Sequence, residues 1–329
     1  MVQVAAASKA FVLVTGATGF VGSELCVSLA NAGYQVRRAL HAGSPAAPPD
    51  IVVGDINGKT AWRAALEHVD TVIHLAARTH AIRERTHDTL PAYRSINVDG
   101  TARLAEQAVK AGVRRLIFLS SIKVNGEETG RAPFRETDIP RPEDPYGITK
   151  LEAEQLLTRR ASETGLELVI IRPPLVYGPG VKGNLLRLMR LLVRGVPLPL
   201  GSIDNRRSLV ALANLTDAIV ACVRTPHAAG RTYLVSDDEP LSTPALVRKL
   251  AESLQVKPRL FRCPLAILET AAALTGRSSE ITRLTRSLEI DSSHIRNDLN
   301  WMPPYSLSQG FTEMGRWYNA QFCTPAIAE

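Results

Sequence analysis

The chain has 329 residues, too many for one small core and too few for three ordinary domains, so about two lobes are expected. Apolar residues make up 45% and charged residues 22%, a balance that excludes a long disordered chain. Lys and Arg number 39 against 32 Asp and Glu, a net charge of +7, with the cations scattered and aromatics at only 5%. That pattern ranks an anionic small molecule above nucleic acid, which would want a basic run or a base-stacking surface.

Cys26, Cys222, Cys263 and Cys323 are spaced too widely for a zinc motif or a compact disulfide framework. Free thiols in a reducing compartment are expected, and no bound metal. Met1 to Lys9 lacks a basic stretch ahead of its apolar residues, so no cleaved leader is expected. No apolar run approaches the roughly 18 residues of a membrane span. The expectation is a cytoplasmic protein.

Short β-branched runs alternate with helical stretches through the first half. Phe11 to Thr15 reads as a buried strand, and Phe20 to Ala32 as a helix closed by Gly33. A strand at Gln35 to Leu40 is followed by a Gly/Pro/Ala loop to Asp50 and a strand at Ile51 to Val53. Further strands are expected at Thr71 to Leu75, Arg115 to Leu119 and Leu168 to Ile171. Long helices are expected near Ala92 to Ala111 and from Pro145 to about Thr164. This alternation implies βαβ units and an α/β fold with a Rossmann-type, doubly wound parallel sheet. After Arg172-Pro173-Pro174 helices dominate, near Asn184 to Arg194, Leu212 to Arg224, Thr243 to Leu254, Leu265 to Thr275 and Leu307 to Gln321. They read as a smaller, mostly helical lobe.

Between the first strand and first helix lies Thr15-Gly16-Ala17-Thr18-Gly19-Phe20-Val21-Gly22, a GxxGxxG relative of the dinucleotide fingerprint. Gly16 allows the tight turn, Gly19 the approach of a pyrophosphate, and Gly22 close packing of helix on sheet. The helix start offers free N–H groups and a positive dipole end to phosphates. The motif places a dinucleotide-binding domain over residues 1–178, to which 207–238 is expected to return. Residues 179–329 are left as the substrate lobe.

NAD-binding versions carry an acid at the end of the second strand, but here the stretch is Val36-Arg37-Arg38-Ala39-Leu40-His41. Arg37, Arg38 and His41 suit a 2′-phosphate, so NADP(H) is favoured with NAD(H) as the alternative, unless the arginines are only solvated edge residues. Asp55, next to Ile56, falls near the expected adenine pocket or is a loop acid without a ligand. His74-Leu75-Ala76-Ala77 ends a strand with small residues that let a flat cofactor lie against the backbone. His74 itself reads as packed and hydrogen-bonded, not catalytic.

Tyr146 and Lys150 are one turn apart on one helix face, marked at its start by Asp144-Pro145. A phenol ionises only near pH ~10, so a neighbouring ammonium and an oxidised nicotinamide are needed before it exchanges protons at working pH. Lys150 is also placed to hold the nicotinamide ribose. Ser120 and Ser121 end the strand Leu116 to Leu119, where a hydroxyl faces the cofactor crevice or caps a turn.

With these residues in place the chain resembles the extended short-chain dehydrogenase/reductases that act on nucleotide sugars, from Val12 to about Pro303. The resemblance rests on residues 15–22 and 74–77, on Asn97-Val98-Asp99-Gly100-Thr101, on Ser121, Tyr146 and Lys150, and on Arg172-Pro173-Pro174-Leu175-Val176-Tyr177-Gly178. It implies that Ser121 is the catalytic hydroxyl, with Ser120, Asn97 and Pro173 beside the cofactor. The tyrosine usual before Gly126 is Asn125 here. The same likeness implies that Asn184 and Arg207 contact the diphosphate of a UDP-sugar and that Leu200 lies in the segment reading uracil. Arg283 or Arg286 would be a second phosphate clamp, Lys123 would lie by the substrate, and the protein would be a homodimer.

Ile122 and Lys123 stand where hexose 4,6-dehydratases carry an Asp-Glu pair, which argues against dehydration. No cysteine lies near Ser121, which argues against the GDP-fucose branch. Two reactions remain. The first expectation is NADPH-dependent reduction of the C4 ketone of a UDP-2-acetamido-2,6-dideoxy-hexos-4-ulose, giving a UDP-N-acetyl-6-deoxyhexosamine for O-antigen. The alternative is a UDP-hexose 4-epimerase with bound NAD, and the remote one a regulator that binds NADP without turnover.

Overall fold

Val12, Leu13 and Val14 are all buried in β1 (Phe11–Thr15), as expected of a strand covered on both faces. The computed structural model describes residues 11–79, 89–276 and 278–323, so the stretch Met1 to Lys9, read above as no leader, lies outside it. After β1 come α1 (Phe20–Asn31), β2 (Gln35–Leu40), β3 (Ile51–Val52), β4 (Val69–His74), α2 (Thr89–Arg94) and α3 (Thr101–Lys110). Next are β5 (Arg115–Leu119), α4 (Pro145–Thr164), β6 (Glu167–Arg172), β7 (Leu175–Tyr177) and α5 (Gly183–Val193). Then follow β8 (Leu209–Ala211), α6 (Leu212–Arg224), β9 (Arg231–Leu234) and α7 (Thr243–Ser253). The last elements are α8 (Leu265–Leu274), α9 (Ser278–Thr285), α10 (Ser293–Leu299) and α11 (Leu307–Phe322).

Seven strands form one parallel sheet in the order β3-β2-β1-β4-β5-β6-β9, while β7 and β8 pair separately. The winding reverses between β1 and β4, which opens a crevice at the carboxyl ends of these strands. One core lies under α1 and α6, with Leu25, Leu29, Leu215 and Ile219. A second, on the other face, joins α3 and α4 through Leu104, Ala108, Ala153 and Leu157. A third gathers α5, α7 and α11 around Met189, Val247, Leu250 and Phe311. This is the Rossmann-like α/β architecture that the pattern of runs implied.

The single helix expected over Ala92 to Ala111 is instead α2 and α3 joined by a wider π turn over Ser95–Gly100. The turn buries Asn97, and at Gly100 a Cβ would meet Ile56 Cγ2 at 2.7 Å. Such π turns are rare and often sit at functional sites. Among the described residues no helix is long and apolar enough to cross a membrane. The four cysteines are free.

Candidate active site

The loop after β1 is shaped by what its glycines would otherwise strike. Gly16 has φ +66°, and a Cβ there would meet Ala76 N at 2.9 Å, so this turn lies against the exit of β4. At Gly22 a Cβ would stand 2.1 Å from Gly16 O. α1 therefore starts hard against the loop, with Gly19 at its N-cap and no side chain capping it. Free N–H groups thus face the crevice, where a pyrophosphate fits. Thr18 is exposed on this loop, whereas Phe20 and Val21 lean into cores and offer the crevice only backbone. Leu75, Ala76 and Ala77 are part-buried opposite, and Ala76 N donates to Thr15 Oγ1 at 3.3 Å. Ser120 Oγ is buried without a hydrogen-bond partner. An orphaned hydroxyl in such a crevice fits a bound cofactor better than a capping role.

The arginines at β2 are a correction. Arg37 is buried, with Nη1 donating to the carbonyls of Ala65 (3.1 Å) and Glu67 (2.6 Å) and Nε to Pro49 O (3.1 Å). Its guanidinium also stacks on Phe11, 4.2 Å from the ring centre. Arg38 binds Asp50 through its backbone N–H (3.1 Å) and Nε (3.0 Å). Both cations are committed within the fold, because alternation along the strand turns one inward and hands the other to a loop acid. At the end of β2 stand exposed His41 and Asp55, with Nδ1 and Oδ1 3.5 Å apart. The preference for a 2′-phosphate loses its physical basis.

Two further expected cofactor contacts differ. Ile56 is buried against Gly100, leaving only its backbone for a ligand. Asn97 is spent inside the protein: its Oδ1 accepts from Arg78 N (2.8 Å), and Nδ2 donates to Arg78 O (3.1 Å) and Thr149 Oγ1 (3.0 Å). It ties the exit of β4 to α4 rather than reaching the crevice. Pro173 is buried and its carbonyl accepts from Ile122 N at 3.0 Å, which fixes the turn carrying Ser121. His74 is buried between Thr15 Oγ1 (2.7 Å) and Thr101 Oγ1 (2.9 Å). Burial, with Lys150 nearby, pushes its imidazole down to about 3, so it stays neutral.

Ser121 and Tyr146 come close together, and Lys150 follows Tyr146 by one turn of α4. Asp144 caps α4, accepting from Gly147 N at 2.7 Å, and the chain behind Ser121 packs so closely that a Cβ at Gly147 would meet Lys123 O at 2.8 Å. The Ser121 side chain lies near enough to the Tyr146 phenol to favour its ionised form. Burial pushes the Tyr146 phenol well above its usual range and the Asp144 carboxylate adds to this, while Ser121 opposes it. Lys150 is buried with Nζ 4.1 Å from the Phe118 ring centre; burial lowers its ammonium to about 7, and Glu154 opposes the fall. A positively charged nicotinamide bound beside this pair would favour the phenolate.

The mouth of the crevice is charged. Lys123 Nζ lies 2.6 Å from Glu127 Oε1 and also pairs with Asp144. Arg283 Nη2 lies 3.9 Å from Asp144 Oδ2, and Arg207 is influenced by both Glu127 and Arg283. Arg207 donates to Arg286 O at 3.1 Å, whereas the Arg286 side chain turns to Glu128 at 3.6 Å and Arg206 to Glu289 at 2.8 Å. Arg207 and Arg283 are thus the two guanidiniums brought together. Asn184 is exposed on the first turn of α5, and Leu200 is buried in the third core, so any contact from it is through backbone.

Glu154, Arg172 and Asn125 were missed. Arg172 donates to Glu154 Oε1 at 2.9 Å and Oε2 at 2.5 Å, and to Asn125 Oδ1 at 3.0 Å, all buried. The signal was present: Glu154 continues the 146, 150 spacing by one more turn of α4.

A Rossmann-like sheet with a serine, tyrosine and lysine gathered at its crevice defines an oxidoreductase-type enzyme. The chain belongs to the NAD dependent epimerase/dehydratase family, whose model matches residues 12–236. It is 44% identical over 306 residues to a UDP-glucose 4-epimerase of Vibrio cholerae, covering 92% of this chain and 93% of that one. It is 27% identical to N-acetyl-alpha-D-glucosaminyl-diphospho-ditrans,octacis-undecaprenol 4-epimerase of Escherichia coli O157:H7, covering 91% and 92%. Among solved structures it resembles MoeE5 in complex with UDP-glucuronic acid and NAD, with TM-score 0.77, 27% identity, and 94% and 99% of the two chains covered. The relative at 44% overturns the expected 4-ketoreductase, as does the internal commitment of Arg37 and Arg38 on which the NADPH argument stood.

Proposed function

We propose that the protein interconverts UDP-hexoses epimeric at C4, with NAD retained between turnovers. The observation that carries this reading is the 44% identity, spread over nine-tenths of both chains, with the V. cholerae UDP-glucose 4-epimerase. The committed state of both β2 arginines supports NAD over NADP. The sheet lobe holds the dinucleotide, and the lobe around the third core, with Arg207, Arg283 and Asn184, holds the UDP-sugar.

Bound NAD would supply reversible hydride acceptance at C4. Tyr146 takes the proton of the C4 hydroxyl as the hydride leaves and gives it back on reduction. Ser121 donates to the C4 oxygen while it is a carbonyl. Lys150 holds positive charge beside the phenolate and binds the ribose. Arg207 and Arg283 would keep the diphosphate anchored while the sugar is free to present either face of C4 to the cofactor. No external reductant enters the balance.

The test is to incubate the purified protein with UDP-glucose and no added cofactor. Formation of UDP-galactose without net consumption of reduced nicotinamide supports the proposal. Failure to act on either UDP-glucose or UDP-N-acetylglucosamine would sink it.

A further inference from the structure

Among the described residues, six exposed large apolar side chains gather in one part of the third-core lobe. α8 reads Leu-Ala-Ile-Leu-Glu-Thr-Ala-Ala-Ala-Leu, yet only Leu268 and Ala272 of its side chains are buried. Ile267 is 58% and Leu274 84% exposed, and Leu265 and Phe261 also face outward. Val193 and Val196, at the end of α5, are exposed as well, and the two segments are joined by the Leu198–Leu260 bridge. A soluble surface helix would place polar residues on such a face.

The charge around this surface is mostly positive, with Glu269 the one acid within α8. Residues 183–203 and 253–268 together hold six Lys or Arg and no Asp or Glu. Arg194, Lys257, Arg259 and Arg262 are exposed, and Arg259 comes within 3.8 Å of the Cβ position of Gly195, next to Arg194. An apolar helix beside a predominantly cationic rim is the pattern of an element that lies in a lipid interface, its apolar face in the acyl boundary and its cations on anionic headgroups.

We propose that α8 and the Val193–Val196 and Lys257–Arg262 segments form a docking face for an anionic lipid bilayer, so that the protein works at a membrane surface without spanning it. The face lies outside the catalytic residues and does not depend on which sugar is epimerised.

Co-sedimentation of the full chain with phosphatidylglycerol-containing vesicles, against pure phosphatidylcholine vesicles, tests this. Binding to the anionic vesicles should be stronger by at least about tenfold and should weaken as salt is raised. The double variant Leu265→Glu, Ile267→Glu should lose that binding while keeping wild-type epimerase activity in solution, since both side chains are already exposed. Equal sedimentation with both vesicle types, or full retention of binding by the variant, would overturn the proposal. So would a wild-type dimer that the variant turns into a monomer, because the face would then belong to a second copy of the chain.

Discussion

Glu154 receives both prongs of the Arg172 guanidinium one helical turn beyond Lys150, so a buried ion pair lies one turn behind the Lys150 ammonium. Breaking such a pair by removing one charge leaves the other buried, at a cost of about 3–5 kcal/mol. Glu154→Gln should therefore unfold at lower urea concentration. Glu154 also holds the Lys150 ammonium up against burial. The pH at which nucleotide affinity falls, as Lys150 loses its proton, should move lower in this variant. Titration of NAD binding against pH reads it, and an unshifted midpoint would confine Glu154 to stability.

Tyr146→Phe should lose turnover by a factor on the order of 10²–10⁴ while keeping most cofactor binding. Near-normal kcat would remove Tyr146 from the proton path. Asp144→Asn keeps the cap on Gly147 but removes the negative charge that raises the phenol. The acid limb of its kcat/KM profile should shift to lower pH.

His74 gives the protein a specific acid sensitivity. Its folded value of about 3 lies below the unfolded value of 6.5, so the unfolded chain binds the extra proton between them. Stability should be fully present above pH about 6.5 and fall as the pH drops toward 3, by several kcal/mol from this residue. Thermal melts of wild type and His74→Asn across that window should differ in slope, the variant being flatter.

Arg37 and Arg38 mark where sequence reasoning stopped. The βαβ order and the placement of the glycine loop between β1 and α1 were legible because periodicity and spacing are local. What each arginine touches is not local: Arg37 meets carbonyls nearly thirty positions away in sequence and Arg38 an acid in the next loop. The same holds for Arg115, buried in the sheet with Nη1 donating to the carbonyls of Cys222 (2.6 Å) and Thr225 (2.9 Å) at the end of α6. Arg37→Ala should cost about 1–3 kcal/mol for each carbonyl left buried and unpaired. The ratio of NAD to NADP affinity should stay unchanged, and a selective loss of NADP binding would restore the earlier reading.

Arg207→Ala should weaken UDP binding by roughly one to two orders of magnitude, from about 1.5–3 kcal/mol per charged hydrogen bond. Arg206→Ala should change little, since Arg206 points to Glu289. Calorimetric titration of UDP into both variants decides between the neighbours.

Epimerisation by a retained cofactor is tested most directly with UDP-glucose carrying deuterium at C4. The label should leave C4, stay on the bound nicotinamide and return, so that NMR finds it at C4 of the UDP-galactose formed, with no solvent hydrogen incorporated there. Washout of the deuterium into water, or label lost to a free reduced cofactor with a 4-keto sugar left behind, would contradict the reaction proposed for this site.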